Sequence, residues 1–507
     1  MSSSGTAVGA PRLRRSLTLW DLILYGVIVI QPVAPMSVFG VLSDRGRGHV
    51  VTTLLIAMVA MLFTAFSYGR MARAYPSAGS AFTYVGQEIN PALGYVTGWS
   101  MVMDYMLNPM ICIIWCSQQA HVFAPGVHYL AWAVFFGAIF TLLNIQGIKT
   151  SARVNTALAA GMGAVVAVFF MAAARYIFGH PHTDPGFFTR PFYDPTMWRM
   201  SDVLGATSIA VLGYIGFDGI STLSEEAENP RRNILLATVL TCFVIGILSA
   251  FEVYAAQLVW PAREAFPNSV TAFTYVAGRA WAPMFAVVGF TLLVANFGSG
   301  MGAQIGAARL LYGMGRSGAL PKSFFGVVDP KRRVPRNSVI FVGAIALAGA
   351  LLAAVPFRQH GVCDSTLFCY GLGAEMLNFG ALIAFMGVNM AAFVRYDVRE
   401  GKKNAVIPLV LVGLVITLVL WPQLIALVFR THSNQTAFIA AGVLLAILAV
   451  WTPPLAGFTI CFFLWKNLSW NAWIVGGIWM ILGIAFGAWK TKGFRGNLVN
   501  FELPPEE

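Results

Sequence analysis

The chain has 507 residues, 58% of them hydrophobic and only 11% charged, with a mean hydropathy of +0.71. A soluble domain carries about 25% charged residues, so this composition excludes a protein whose only solvent is water. The net charge of +12 would suit a nucleic-acid partner, but the basic residues fall between apolar runs rather than in one patch, and that excludes nucleic acid.

Residues 1–16, MSSSGTAVGAPRLRRS, form a polar, basic arm. No cleaved signal is expected, because the first apolar run is already of full spanning length. Runs near the roughly 20 residues that cross a bilayer then follow one another. They are Trp20–Leu42, Val50–Phe66, Gly94–Phe123, Tyr129–Gln146, Val154–Phe178, Leu204–Ser224, Ile234–Trp260, Met284–Ile305, Val339–Val355 and Gly371–Phe393. Beyond them lie Ala405–Phe429, Thr436–Trp465 and Trp473–Trp489. As a single helix Thr436–Trp465 would reach about 45 Å, against a hydrocarbon core of about 30 Å. Pro453 and Pro454 near its middle split it into two short spans, which brings the reading to fourteen. Lys and Arg in the short loops are concentrated on the side of Arg12, Arg70, Arg153, Arg231, Lys331 and Lys402, so both termini are placed in the cytoplasm.

Two of these spans are interrupted at mid-depth, the first and the sixth, as an inverted repeat of five plus five helices would place them. In the first, Gln31-Pro32-Val33-Ala34-Pro35 removes two backbone donors at the centre of the run. In the sixth, Gly213, Gly216 and Gly219 flank Tyr214, Phe217 and Asp218 and permit unwinding. The bland alternative is a pair of packing kinks. The predicted fold is thus an all-α membrane protein with an inverted-repeat, leucine-transporter-type core, additional C-terminal helices, and 12–14 transmembrane helices. Its predicted parts are a cytoplasmic arm (1–16), a first repeat (17–178), an extracellular loop (179–203), a second repeat (204–395), additional helices (396–490) and a cytoplasmic tail (491–507).

Three stretches carry a resemblance. They are YPSAGSAFTYVGQEINPALGYVTGW from Tyr75 to Trp99, LGYIGFDGISTLSEEAENPRR from Leu212 to Arg232, and ARLLYGMGRSGALPKSFFGVVDPKRRVPRNSV from Ala308 to Val339. With them the chain resembles the amino acid, polyamine and organocation superfamily, and within it the bacterial putrescine importers. The resemblance implies a twelve-span family fold, a secondary transporter in a bacterial inner membrane, and a segment from Ala405 to about Ile447 inserted before the last two family helices. It also implies a substrate site at the two breaks. Relatives that carry amino acids cradle the carboxylate on glycine-rich breaks, and the first break here departs from that pattern because it has no glycine and its prolines offer no amide. An amine would meet acceptors there.

Charged groups inside a membrane cost about 2.5–3.5 kcal/mol each on insertion scales, so Asp104 and Asp218 ask for a reason, and a diammonium substrate supplies one. The candidate substrate-binding set is Gln31, Ala34, Trp99, Asp104, Tyr105, Gly213, Tyr214, Gly216, Phe217, Asp218, Asn296 and Ser299. For each aromatic, packing is the competing role, and for Asn296 and Ser299 it is close helix approach. Glu225 and Glu226, beside Arg231 and Arg232, read as an inner gate or clamp, and Glu375 as a vestibule ligand, a proton carrier or an interface acid. Glu252 reads as a solvated acid near the outer surface. Some relatives use a lysine seven residues after an asparagine as a proton switch; Asn155 matches the asparagine, but Met162 holds the lysine position.

No catalytic residue, cofactor or metal site is expected, since His180 and His182 alone do not make one and no HExxH, GxSxG or P-loop motif is present. The expected partners are the bilayer and a small cationic or zwitterionic substrate, with proton symport, exchange, uniport and oligomeric state left open. An amino-acid permease or exchanger of the same superfamily is the rival function. Cys363 and Cys369 share an outer loop, near enough to bridge or to stand as free thiols.

Overall fold

The computed structural model describes residues 17–75, 80–147, 152–181, 184–223, 227–262, 264–316, 320–356, 368–400, 407–417, 435–491 and 493. Among them the chain is helical throughout, and extended pairing is limited to one bridge between Leu17 and Ala227. The first helix, α1 (Leu19–Ile30), starts on a capping box: the Thr18 hydroxyl accepts from the Asp21 amide, and the Asp21 carboxylate accepts from the Thr18 amide at 2.9 Å. Together with α2 (Ala34–Arg45) it makes one span bent by 45°.

After these come α3 (Val50–Ala74), the short α4 (Ser80–Glu88), α5 (Pro91–Phe123), α6 (Tyr129–Gln146), α7 (Ala152–Gly179) and α8 (Met200–Ala210). Beyond α8 the chain tightens into 3-10 turns at Val211–Gly213 and Phe217–Leu223, then continues as α9 (Pro230–Val259), α10 (Ala272–Ala280), α11 (Met284–Arg316), α12 (Lys322–Phe325), α13 (Arg336–Leu352) and α14 (Tyr370–Phe393). The last of these runs on into a π-helical turn, Val394–Arg399. The C-terminal part holds α15 (Ile407–Thr417), α16 (Gln435–Trp451), α17 (Pro453–Lys466) and α18 (Trp470–Lys490).

Among the described residues nine helices are long and apolar enough to cross a membrane, ten with the bent pair, and α13, α15 and part of α16 are shorter apolar helices. Each of the ten predicted core runs has its helix. The predicted second run stops short, because α3 continues past Phe66 to Ala74. The span reading passes over α4 and α10, since nine-residue helices are too short to register as crossings. Thr436–Trp465 divides at Thr452, where Pro453 opens a new helix. Of Ala405–Phe429, residues 407–417 form α15 and the remainder lies outside the described residues.

The centre of the bundle is α5, pressed between α11 and α14. Small residues allow the approach: a Cβ on Gly380 of α14 would run into the Ser100 carbonyl of α5. A second seam joins α3 to α9, where Gly69 accommodates Leu235 and Gly246 accommodates Met58. The C-terminal helices are tied in by buried polar groups. Asn389 of α14 donates to Thr64 at 3.1 Å and accepts from Ser67 at 2.7 Å, and Gly457 of α17 abuts its side chain.

Candidate functional site

The first break sits between α1 and α2. Gln31 adopts a left-handed backbone, φ 70°, and its amide still reaches the Val27 carbonyl at 3.0 Å. Pro32 then has no hydrogen for the Ile28 carbonyl, so an acceptor is released at mid-span. The Ala34 amide turns back to the Gln31 carbonyl at 3.1 Å, and α2 starts with Pro35 in its first turn. The Gln31 side chain crosses to α11 and donates to the Ala295 carbonyl at 2.9 Å, which gives it a bridging position between the two helices.

The second break runs from Val211 to Leu223. Gly216 takes φ +122°, and a Cβ there would lie 2.9 Å from Val29 and 3.3 Å from Ile30, so the unwound segment lies directly on the end of α1. Its amides are largely occupied. Tyr214 bonds Val211, Phe217 bonds Tyr214, Gly219 bonds Gly216, and the Gly216 amide donates to the Asp218 carboxylate at 3.2 Å. A Cβ on Gly213 would meet no atom within 4 Å, which marks open space beside the break.

Around Asp218 the fold gathers residues from four other elements. Asp104 and Tyr105 of α5 lie within electrostatic range of it, as do Tyr68 of α3 and Tyr84 of α4. Tyr25 of α1 bears on Tyr105. Asp104 and Asp218 are both buried, at 6% and 5% exposure. The Tyr68 hydroxyl is buried with no hydrogen-bond partner among the described residues, a donor left over beside two carboxylates. Pro109, inside α5, releases a further acceptor, because the Tyr105 carbonyl loses its usual donor. Phe217 packs edge-on to Tyr68 at 5.6 Å and against Phe385 at 5.5 Å, and so forms the apolar side of the cluster. Tyr214 is fully buried and donates to the Leu54 carbonyl at 2.9 Å.

Other candidates stand elsewhere. Trp99 is a packing residue: its ring stacks on Trp479 of α18 at 4.6 Å, and each indole donates to the other residue's carbonyl, at 2.9 and 3.0 Å. Asn296 donates to Ser37 and Leu292 at 2.9 Å, joining α11 to α2, and Ser299 hydrogen-bonds Cys112 of α5. Glu375 is fully buried rather than set at an interface. It accepts from the Ser469 amide at 3.0 Å at the start of α18 and lies 3.9 Å from Arg45. Glu252 is fully buried as well, contrary to the solvated reading, because α9 turns that face into the bundle. Met162, at the lysine position of some relatives, is buried and apolar.

Glu225, Glu226, His182 and Cys363 lie outside the described residues. Cys369 is disulfide-bonded. The His180 ring stacks on Tyr176 at 4.2 Å. Among the described residues no group of three His, Cys, Asp or Glu could hold a metal ion.

Two features were not anticipated from sequence: the tyrosines of α3 and α4, and the contacts gathered at the C-terminal end of α2. Tyr68 and Tyr84 carry no local signal, since each is one aromatic in an apolar or small-residue run. At that end of α2 Gly40 lies against the Ser269 carbonyl, Ser269 donates to Asp44, Gly48 faces Ala262 with φ +80°, and Arg47 pairs with Asp202 at 2.6 Å. A separate cavity of about 270 Å³, lined by Arg47, Asp184, Arg190, Asp194 and Gln257 among others, lies beside these contacts.

Residues 22–450 match the amino acid permease family. The chain belongs to that family. This permease is 32% identical to the low-affinity putrescine importer PlaP of Escherichia coli K12 over 494 residues, covering 97% of this chain and 96% of the relative. It is 25% identical to the branched-chain amino acid permease BcaP of Bacillus subtilis over 76% of this chain and 82% of that one. It is 26% identical to the vacuolar cationic amino acid transporter 4 of Arabidopsis thaliana over 78% and 65%. The permease is therefore a multi-span membrane transporter and not an enzyme.

Proposed function

We propose that this permease imports a small organic diammonium cation, putrescine or a close relative, across a bacterial inner membrane by alternating access. One observation carries the reading: neither break presents a nest of free amides, while two buried carboxylates stand at the site, Asp218 in the second break and Asp104 on α5. At the first break Pro32 and Pro35 have no donor to give, and at the second the Gly216 amide is already committed to Asp218. A substrate carboxylate would have to displace the Asp218 carboxylate and then face Asp104 as a like charge. An ammonium group finds carbonyl acceptors, tyrosine faces and two negative charges. The importer of E. coli, matched along nearly its whole length, supports the same substrate class.

Proton coupling would run through Asp104 and Asp218, where substrate cation and proton compete for the same oxygens. The deciding test is a competition panel on purified protein in proteoliposomes with radiolabelled putrescine. Cadaverine and unlabelled putrescine are expected to compete, and leucine, arginine and glutamate are not. No uptake of labelled putrescine, with uptake of labelled leucine or arginine in the same proteoliposomes, would instead establish the amino-acid permease reading that the other relatives favour.

A further inference from the structure

A second carboxylate cluster lies at the cytoplasmic end. Glu88, at the end of α4, has a fully buried side chain and accepts three charge-assisted or phenolic hydrogen bonds: from Tyr75 at 2.7 Å, Arg395 at 2.6 Å and Arg399 at 2.8 Å. Arg399 also donates to the Glu88 backbone carbonyl at 2.8 Å. Burial and the Glu88 carboxylate together push the Tyr75 phenol up to about 12, so it remains a donor across the working pH range. Both arginines come from the π-helical turn that ends α14, a geometry that widens the helix and is common at functional positions.

What this cluster holds is α4, and α4 reaches the substrate cluster. One helical turn before Glu88, Tyr84 is fully buried beside Ser221 and within range of Asp218. At the other end of α4, Ser80 enters the helix at φ +47°, and its hydroxyl lies 3.3 Å from that of Ser221, which in turn donates to the Asp218 carbonyl at 2.6 Å. On its α5 side the helix packs closely, Gly86 against Gly94 and the Phe82 ring over Gly98, and its C-terminal end is held by the ion-pair cluster.

We infer that Glu88 is a positioning residue for transport: clamped by Arg395 and Arg399, it fixes α4 so that Ser80 and Tyr84 hold the unwound segment and set the place of Asp218. This inference rests on the proposal that Asp218 meets the substrate. A fixing role of this kind predicts a change in substrate affinity rather than only in the amount of folded protein.

Two readouts on Glu88→Gln, which keeps the shape and one acceptor, decide the matter. In proteoliposomes the KM for putrescine is expected to rise about tenfold, in keeping with one displaced charge-assisted hydrogen bond, while Vmax per reconstituted molecule changes less than about twofold. An unchanged KM with Vmax falling in step with folded protein would make Glu88 a purely structural anchor and overturn the inference. The second readout needs no substrate. Gly219 lies in the same turn, and a Cβ there meets only the Tyr25 ring, at 3.8 Å or more, so Gly219→Cys is tolerated sterically. Its alkylation rate by N-ethylmaleimide is expected to rise several-fold when Glu88→Gln is added, and an unchanged rate overturns the inference even if putrescine proves not to be the substrate. Should Glu88→Gln fail to reach the membrane, Arg399→Gln, whose side chain is 55% exposed, carries both measurements with smaller shifts in the same direction.

Discussion

The two interrupted spans solve one problem by opposite means. The first break is subtractive: prolines take donors away, acceptors are released, and Gln31 reaches across to Ala295 to hold the gap. The second is permissive: Gly216 adopts a backbone that other residues resist, and the amides this turns loose are gathered by the chain itself, one of them onto Asp218. The comparison teaches that an interrupted membrane helix need not be an anion site. Which backbone groups remain free, and what charge stands beside them, decides the sign of the ligand.

The largest effect should come from the charge at the second break. Asp218→Asn, and Asp104→Asn on the facing helix, are each expected to lower putrescine uptake by about a hundredfold or more, with normal delivery to the membrane. Full uptake in both single variants would return the selectivity to the backbone alone. Next comes the contact where the two breaks touch. Gly216→Ala forces a Cβ toward Val29 in an unfavourable backbone region and should reduce uptake about tenfold, measured per folded molecule by size-exclusion and initial rate. Wild-type rates in that variant would separate the two breaks as independent units.

A smaller effect is expected for Tyr68→Phe, which removes the partnerless hydroxyl beside the acids. The KM for putrescine should rise about three- to fivefold with little change in Vmax, and no change would assign that hydroxyl to a bound water. The smallest belongs to the bridge at the first break. Gln31→Ala should cost about 1 kcal/mol, seen as a lowering of the melting temperature in detergent by a few degrees, while uptake stays within about threefold. A large loss of uptake would show that the Gln31 amide meets the substrate after all.

Much of this arrangement was legible in the sequence because the bilayer imposes simple rules. Spanning length, the proline pair at Pro32 and Pro35, the glycines around Asp218 and the cost of an intramembrane acid are each readable one segment at a time. What escaped was what depends on two segments meeting. Trp99 keeps two readings, a wall of the site or a packing residue, until its partner Trp479 is seen, and the interface reading of Glu375 lasts only until Ser469 and Arg45 close on it. Tyr68 and Tyr84 become part of the site solely through the packing of α3 and α4 on the unwound segment. Glu88 is the clearest case, a single acid in the stretch used for the resemblance, whose two arginine partners are more than three hundred residues away.

The reciprocal indole pair has a consequence for how the protein is made. Trp99 and Trp479 are 380 positions apart, and each donates to the other's backbone, so the Trp99 indole finds this acceptor only after α18 has left the ribosome. At about 5–20 residues per second the central helix waits roughly 20–80 seconds for its final neighbour. During that interval the seam on α5 faces lipid or the insertion machinery with the Trp99 indole hydrogen unmatched. Late completion of this seam makes the docking of α18 a closing step for the central helix: a chain that stalls before it leaves the Trp99 indole hydrogen without its acceptor.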